Sequence, residues 1–155
     1  MSVYEGKRDD SGLLFEWNAK VLADEMFKFL TTKQIPKAWR FLVCVPAAET
    51  ARSIEHNIER AEQFHPSTAY NVLKRKEYYS LAIADCKQLR NDLQRMKAMG
   101  ANLNKNTVEK LEEMIEREIK LLTGVRKSTR LRGVPDISQK IADEEAELER
   151  LRRLL

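Results

Sequence analysis

Residues 68–100 read TAYNVLKRKEYYSLAIADCKQLRNDLQRMKAMG, and this stretch decides the fold. Ala82, Cys86, Leu89, Leu93 and Met96 follow one another at steps of 4, 3, 4 and 3, and Tyr79 extends the series backwards. Apolar residues at that spacing line one face of an α-helix, and the polar residues between them cover the other. The spacing predicts a helix from about Thr68 to Met99, ended by Gly100 as the residue after its last turn. A single amphipathic helix of that length has to bury its stripe against elements of the same kind.

The flanking sequence supplies them. His65-Pro66-Ser67 separates the long helix from an earlier one, predicted from Pro36 to about Gln63. Its expected buried stripe is Phe41, Val45, Ala48, Ala51, Ile54, Ile58 and Ala61. Pro46 interrupts that run, so a kink or restart is expected between Val43 and Pro46. A first helix is predicted over Leu13 to Leu30, with Ser11 as N-cap and Leu14, Trp17, Val21, Met26 and Phe29 near one face. Pro36 closes it, because the residue before a proline is pushed out of the α region.

On the C-terminal side, Ala101 to Lys105 reads as a loop and Asn106-Thr107-Val108-Glu109 as a capping box. The fourth helix then carries Val108, Leu111, Ile115, Ile119, Leu122 and Val125 on one face. A linker from Ser128 to Asp136 leads to a fifth helix from about Ser138. There Ile141, Leu148 and Leu155 stand at heptad spacing, with Leu151 three after Leu148. Too short to be stable alone, that helix should dock on the others or pair with another copy. The expected fold is all-α: an antiparallel up-down-up-down four-helix bundle over residues 1–128 with a short polar leader, then a linker and additional C-terminal helix over 129–155.

Composition agrees. Of 155 residues, 43% are hydrophobic and 34% charged, too apolar for a disordered chain. Only 5 Gly and 4 Pro leave few of the turns that a β-sandwich or barrel requires. The opening MSVYEGKRDD lacks the pattern of a signal or transit peptide. No apolar run approaches the ~20 residues that span a bilayer. Cys44 and Cys86 stand in apolar surroundings without CxxC spacing, as reduced core residues. The expectation is a soluble, cytoplasmic protein that does not enter membranes.

Catalytic constellations are absent from the sequence. His56 and His65 lie nine residues apart, and no Glu-x-x-His pair falls on an inward helix face, so no metal site is expected. Glu112, Glu113, Glu116 and Glu118 read for the most part as a solvated face, paired with Lys110, Arg117 and Lys120. Phosphate-loop, dinucleotide-binding and nucleophile-elbow patterns do not occur. The expectation is a protein without catalytic residues, metal or cofactor.

The net charge of +4 is modest, but its distribution is uneven. Lys74, Arg75, Lys76, Lys87, Arg90, Arg95 and Lys97 crowd the third helix, and Lys120, Arg126, Lys127, Arg130 and Arg132 follow in a stretch with no acid. In an antiparallel arrangement the end of the fourth helix lies beside the start of the third. Lys74, Arg75, Lys76, Lys87, Arg90, Arg126, Lys127, Arg130 and Arg132 then become candidate phosphate contacts for a nucleic acid. The bland alternative is ordinary charge asymmetry, with basic residues near a helix C-terminus complementing its dipole. Composition alone leaves both open.

Four stretches together resemble a known family: Ile35-Pro36-Lys37-Ala38-Trp39-Arg40-Phe41; Glu49 to Ala61 with Ala51, Arg52, Ile54, Asn57 and Arg60; Ala82-Ile83 with Asp85-Cys86; and Met114 to Leu122 followed by Arg126-Lys127-Ser128. Over residues 30 to 128 the chain resembles the accessory variability determinant (Avd) proteins of diversity-generating retroelements. The small four-helix-bundle proteins encoded in intervening sequences of bacterial ribosomal RNA belong to the same family. The resemblance implies a basic homo-oligomer, a pentamer in the best-known members, which partners a reverse transcriptase, binds RNA or RNA/DNA and supports mutagenic retrohoming. It also matches basic character at Lys37, Arg40, Arg52, Arg60, Arg126 and Lys127. The polar leader and the C-terminal helix depart from the family pattern. The alternative from another class is a protein-only helical scaffold that assembles through its terminal heptads.

Overall fold

The computed structural model describes residues 11–132 and 137–155, so the leader and part of the linker lie outside the described residues. Five α-helices account for most of it, and the described residues contain no strand. They are α1 (Ser11–Leu30), α2 (Val45–Gln63), α3 (Ala69–Ala98), α4 (Lys105–Ser128) and α5 (Ile137–Leu154). A 3₁₀ turn (Lys37–Trp39) and a π turn (Arg40–Cys44) lead into α2. α1 packs against α2 and α4, and α3 packs against the same two. No helix among the described residues is long and apolar enough to cross a membrane.

The stripe of α3 is buried as its spacing predicts, from Tyr79 through Ala82, Cys86, Leu89 and Leu93 to Met96. Thr68 caps the helix, its hydroxyl accepting from the Asn71 N–H at 3.1 Å. Gly100 ends it at φ +84°, a backbone state that side chains with a Cβ rarely adopt. Both cysteines are free and buried.

Three expectations need correction. In α2 the buried residues begin with Val43, Cys44 and Ala47, whereas Phe41 is 80% exposed and Val45 lies at the surface. The cause is Pro46, which has no N–H to give the Leu42 carbonyl and whose ring would collide with it. The chain widens there, and the Val45 N–H bonds back to the Arg40 carbonyl five residues earlier. That extra residue shifts the register, so that Val43 and Cys44 face the core while Phe41 and Leu42 face solvent.

In α1, Trp17 is 67% exposed and the buried face is Phe15, Asn18, Ala19, Leu22, Ala23, Met26 and Phe29. The buried stripe passes through a polar residue, Asn18, which an apolar count skips. α4 starts earlier than the Asn106 capping box implies: Asn104 is the cap, its side-chain oxygen accepting from the Thr107 N–H at 3.2 Å. The Asn104 N–H is itself held by the Gln34 side chain at 2.8 Å, which fixes the α3–α4 loop against the end of α1. Every described side chain of α5 is exposed, so of the two expectations for that helix, docking on the others or pairing with another copy, the first is not seen among the described residues.

Two polar links tie neighbouring helices together. Between α2 and α3, Asp85 accepts from Ser53 and from Asn57, both at 2.7 Å. Between α1 and α4, Asn18 donates to Glu118 at 2.7 Å. Glu118, counted in the sequence among mostly outward carboxylates, is completely buried, and its second oxygen has no partner among the described residues. Burial pushes its pKa up from 4.5 to about 8, against the Asn18 hydrogen bond and the nearby Arg117 charge, which pull it down.

The folded chain therefore holds a proton on Glu118 that the unfolded chain releases near 4.5. Its contribution to stability is complete below that pH and is lost as pH rises to and through about 8. Replacing it by glutamine removes the dependence. Unfolding free energies from denaturant melts should fall steeply from pH 5 to pH 9 for the native chain, by as much as about 5 kcal/mol, and much less for Glu118→Gln. Equal slopes for the two proteins would show that Glu118 is not buried as an acid.

Candidate nucleic-acid interface

The chain leaves α4 at Ser128 and crosses the corner where α2 turns into α3. Thr129 is buried and returns its hydroxyl to the Val125 carbonyl at 2.8 Å. The Arg132 N–H donates to the Pro66 carbonyl at 2.8 Å, and Arg126 donates to the Ser80 hydroxyl at 3.1 Å. The end of α4 therefore lies beside the start of α3, as the charge argument required. Residues 129–132 are held on the corner by their own backbone and by Thr129.

The nine candidate cations differ sharply in what they do. Lys74 is paired with Glu77 at 3.1 Å, and that hydrogen bond holds its pKa above the usual lysine value. It also stands 5.9 Å from the centre of the Tyr70 ring. Arg75 donates to the Ala61 and Phe64 carbonyls at 3.4 and 3.3 Å and lies over Tyr79. It serves the C-terminal end of α2, where the Ala61 carbonyl also accepts from the Phe64 N–H at 3.1 Å. Arg90 pairs with Glu116, and Lys97, two turns further along α3, pairs with Glu112, so both bind α3 to α4.

Lys76, Lys87, Lys127, Arg130 and Arg132 make no ion pair among the described residues, and all but the half-buried Lys76 are exposed. Arg126, Lys127, Arg130 and Arg132 gather at the corner, and Lys76 lies one turn of α3 before Ser80. Lys87 is seven residues beyond Ser80, about 10 Å along the helix. The structure thus brings five of the nine together, leaves Lys87 at the margin, and commits Lys74, Arg75 and Arg90 to partners. Glu16 of α1 also acts on the Tyr79 hydroxyl together with Arg75 and Arg132, so the corner is strongly but not purely positive.

An aromatic group beside this corner escaped the charge count. Phe64 stacks on Tyr78 with ring centres 5.7 Å apart and meets Tyr70 edge-on at 6.5 Å. Tyr70 is largely exposed. Exposed aromatics next to cations offer unpaired bases a surface to stack on. The signal was present as Tyr70, Lys74 and Tyr78 at successive steps of four. These residues lie on the α2 side of α3, whereas Arg126 meets the α4 side.

Among the described residues, no group of three or more His, Cys, Asp or Glu side chains is placed to hold a metal ion. His56 and His65 are both exposed. Neither protein-family models nor curated proteins show a match to this chain.

The division between structural and open cations is measurable. Arg75→Gln removes the charged donor shared by the Ala61 and Phe64 carbonyls and should cost about 1–3 kcal/mol in denaturant unfolding. Lys127→Gln, on an exposed side chain without a partner, should stay within about 0.5 kcal/mol of the native chain.

Proposed function

We propose that this chain is a non-catalytic, nucleic-acid-binding accessory protein that partners a reverse transcriptase, as its resemblance to the accessory variability determinant family implies. In this reading α1 to α4 form an antiparallel up-down-up-down bundle, the protein is cytoplasmic, and it works as a homo-oligomer, a pentamer if it follows the family. It needs no metal or cofactor. Its ligand is RNA or an RNA/DNA hybrid.

The observation that carries the proposal is the corner segment. Lys127, Arg130 and Arg132 are exposed, have no carboxylate partner among the described residues, and sit on a stretch pinned to Pro66. Pre-positioned cations without partners suit the phosphate backbone, which is recognised by charge and spacing. Basic residues that serve only the α4 dipole would be adequately placed in its last turn; Arg130 and Arg132 lie beyond it. The scaffold reading is favoured by a different observation, the full exposure of α5, and it predicts no nucleic-acid affinity at physiological salt.

A variant carrying Lys127→Glu, Arg130→Glu and Arg132→Glu separates the two. Fluorescence anisotropy with single-stranded RNA, at several salt concentrations, should show affinity reduced by at least tenfold. The slope of log affinity against log salt should fall by about 2, at roughly 0.7 per lost phosphate contact on a single strand. Circular dichroism should be unchanged, because none of the three side chains is buried. Binding by the native chain that is absent, or insensitive to these changes, removes the corner as an interface.

A further inference from the structure

A ladder of aromatic rings runs from the core to the surface where α2 turns into α3. Tyr78 packs half-buried against the core, Phe64 stacks on it at an interplanar angle of 18°, and Tyr70 meets Phe64 edge-on. The outermost ring, Tyr70, is 62% exposed, so the fold uses little of it. Its backbone is fixed nevertheless. Tyr70 stands in the first turn of α3, where the Thr68 hydroxyl accepts from the Asn71 N–H. The Asn71 side chain in turn donates to the His65 carbonyl at 2.9 Å. The same turn receives the segment that follows α4, because the Arg132 N–H bonds to the Pro66 carbonyl. Pro66 is two residues from Phe64 and four from Tyr70. Four residues span at most about 14 Å of backbone, the length of about four stacked nucleotides. Lys74, 5.9 Å from the centre of the Tyr70 ring, is paired with Glu77, so this patch offers a ring rather than free charge.

We infer that Tyr70 is a stacking platform for an unpaired base, and that the nucleic acid held at the corner is single-stranded where it passes the start of α3. The inference rests on the nucleic-acid reading of Lys127, Arg130 and Arg132 and adds to it the form of the ligand. Those cations meet phosphates, which a duplex and a single strand both present. Tyr70 distinguishes the two. In a duplex the neighbouring bases cover each base face, and the major groove of an RNA helix is too deep and narrow for side chains to read. An unpaired base can leave the strand and lie on an aromatic ring. Every base has such a face, so the contact is tolerant of sequence. Tyr78 and Phe64 have structural work in the ladder, whereas Tyr70 contributes to it only the edge-on contact at 6.5 Å. The two inner rings hold the outer one in place before a ligand arrives, which lowers the entropy lost on binding.

Full-length native, Tyr70→Phe and Tyr70→Leu chains decide it. Phenylalanine keeps the ring, whereas leucine keeps an apolar contact with Phe64 and lacks the ring. Circular dichroism should be the same for all of them, because Tyr70 is exposed. Anisotropy is measured with an oligouridine of about 12 nucleotides and with a blunt RNA duplex of the same length. The native chain should bind the single strand more tightly than the duplex. Tyr70→Leu should weaken single-strand binding by at least about fivefold and leave duplex affinity unchanged. The salt slope should also stay the same, because no phosphate contact is lost. Tyr70→Phe should remain close to the native chain in both. A 2-aminopurine placed in the oligouridine should lose emission on binding to the native and Tyr70→Phe chains, and keep it with Tyr70→Leu. Tighter binding of the duplex, native affinity in Tyr70→Leu, or equal losses in the two variants overturns the inference. The corner reading survives those results if binding still depends on Lys127, Arg130 and Arg132. A native chain that binds neither RNA overturns both.

Discussion

Pro46 cannot donate a hydrogen bond, and the entry to α2 is built around that fact. A regular helix through residues 42–46 would aim the proline ring at the Leu42 carbonyl. The chain meets the constraint by a 3₁₀ turn followed by a π turn, so that the Val45 N–H reaches Arg40. Beyond Pro46 the register is set for Ala47, Ala51, Ile54, Ile58 and Ala61 to face the core. Before it, Val43 and Cys44 turn inward while Phe41 and Leu42 turn to solvent. A missing backbone proton thus determines which aromatic and aliphatic groups the protein displays at that end. Inserted turns of this type are a recognised mark of functional positions on helices.

At the opposite end the governing interaction is electrostatic. α2 ends at Gln63, and Arg75 from α3 adds a charged donor to the Ala61 and Phe64 carbonyls at that end. Arg126 from α4 then reaches Ser80, and the segment after α4 closes over the corner through Arg132 and Pro66. Two arginines are thereby used to build the corner, and the cations that follow them are displayed on it. A dipole account of basic residues near helix ends suits Arg126 and Lys127 in the last turn of α4, whereas Arg130 and Arg132 lie beyond it.

Periodicity made the helices legible because burying an apolar face is what forms them. The stripe of α3 and the positions of Gly100 and Thr68 could be read residue by residue. What escaped was set by polar groups that apolar counting ignores. Asn18 and Glu118 face each other inside the core, so the wheel of α1 was phased through Trp17 and Glu118 was grouped with outward carboxylates. Asn104 and Asn106 are equally good caps locally, and only the distant Gln34 side chain distinguishes them. For the candidate interface, sequence located the cations but not their partners. Arg90 and Glu116 lie 26 residues apart in the chain and become neighbours only through packing.

The same buried polar groups bear on how a resemblance should be carried over. Asn57 and Asp85 belong to the stretches that resemble the accessory variability determinant family, and they hydrogen-bond each other across α2 and α3. Arg60 donates to Asn57 at 3.4 Å. This arrangement holds two helices in register, a structural role that needs no ligand. The basic positions matching the family divide further. Lys37 and Arg40 precede α2, whereas Arg126 and Lys127 lie at the corner where α2 ends. The 19 residues of α2 between them span about 28 Å. A contact confined to the corner does not extend to Lys37 and Arg40, so one patch does not account for both pairs. The two ends also differ in surface chemistry: Lys37 and Arg40 border the apolar Ile35, Val45 and Ala48, whereas Lys127, Arg130 and Arg132 stand exposed without an ion pair among the described residues.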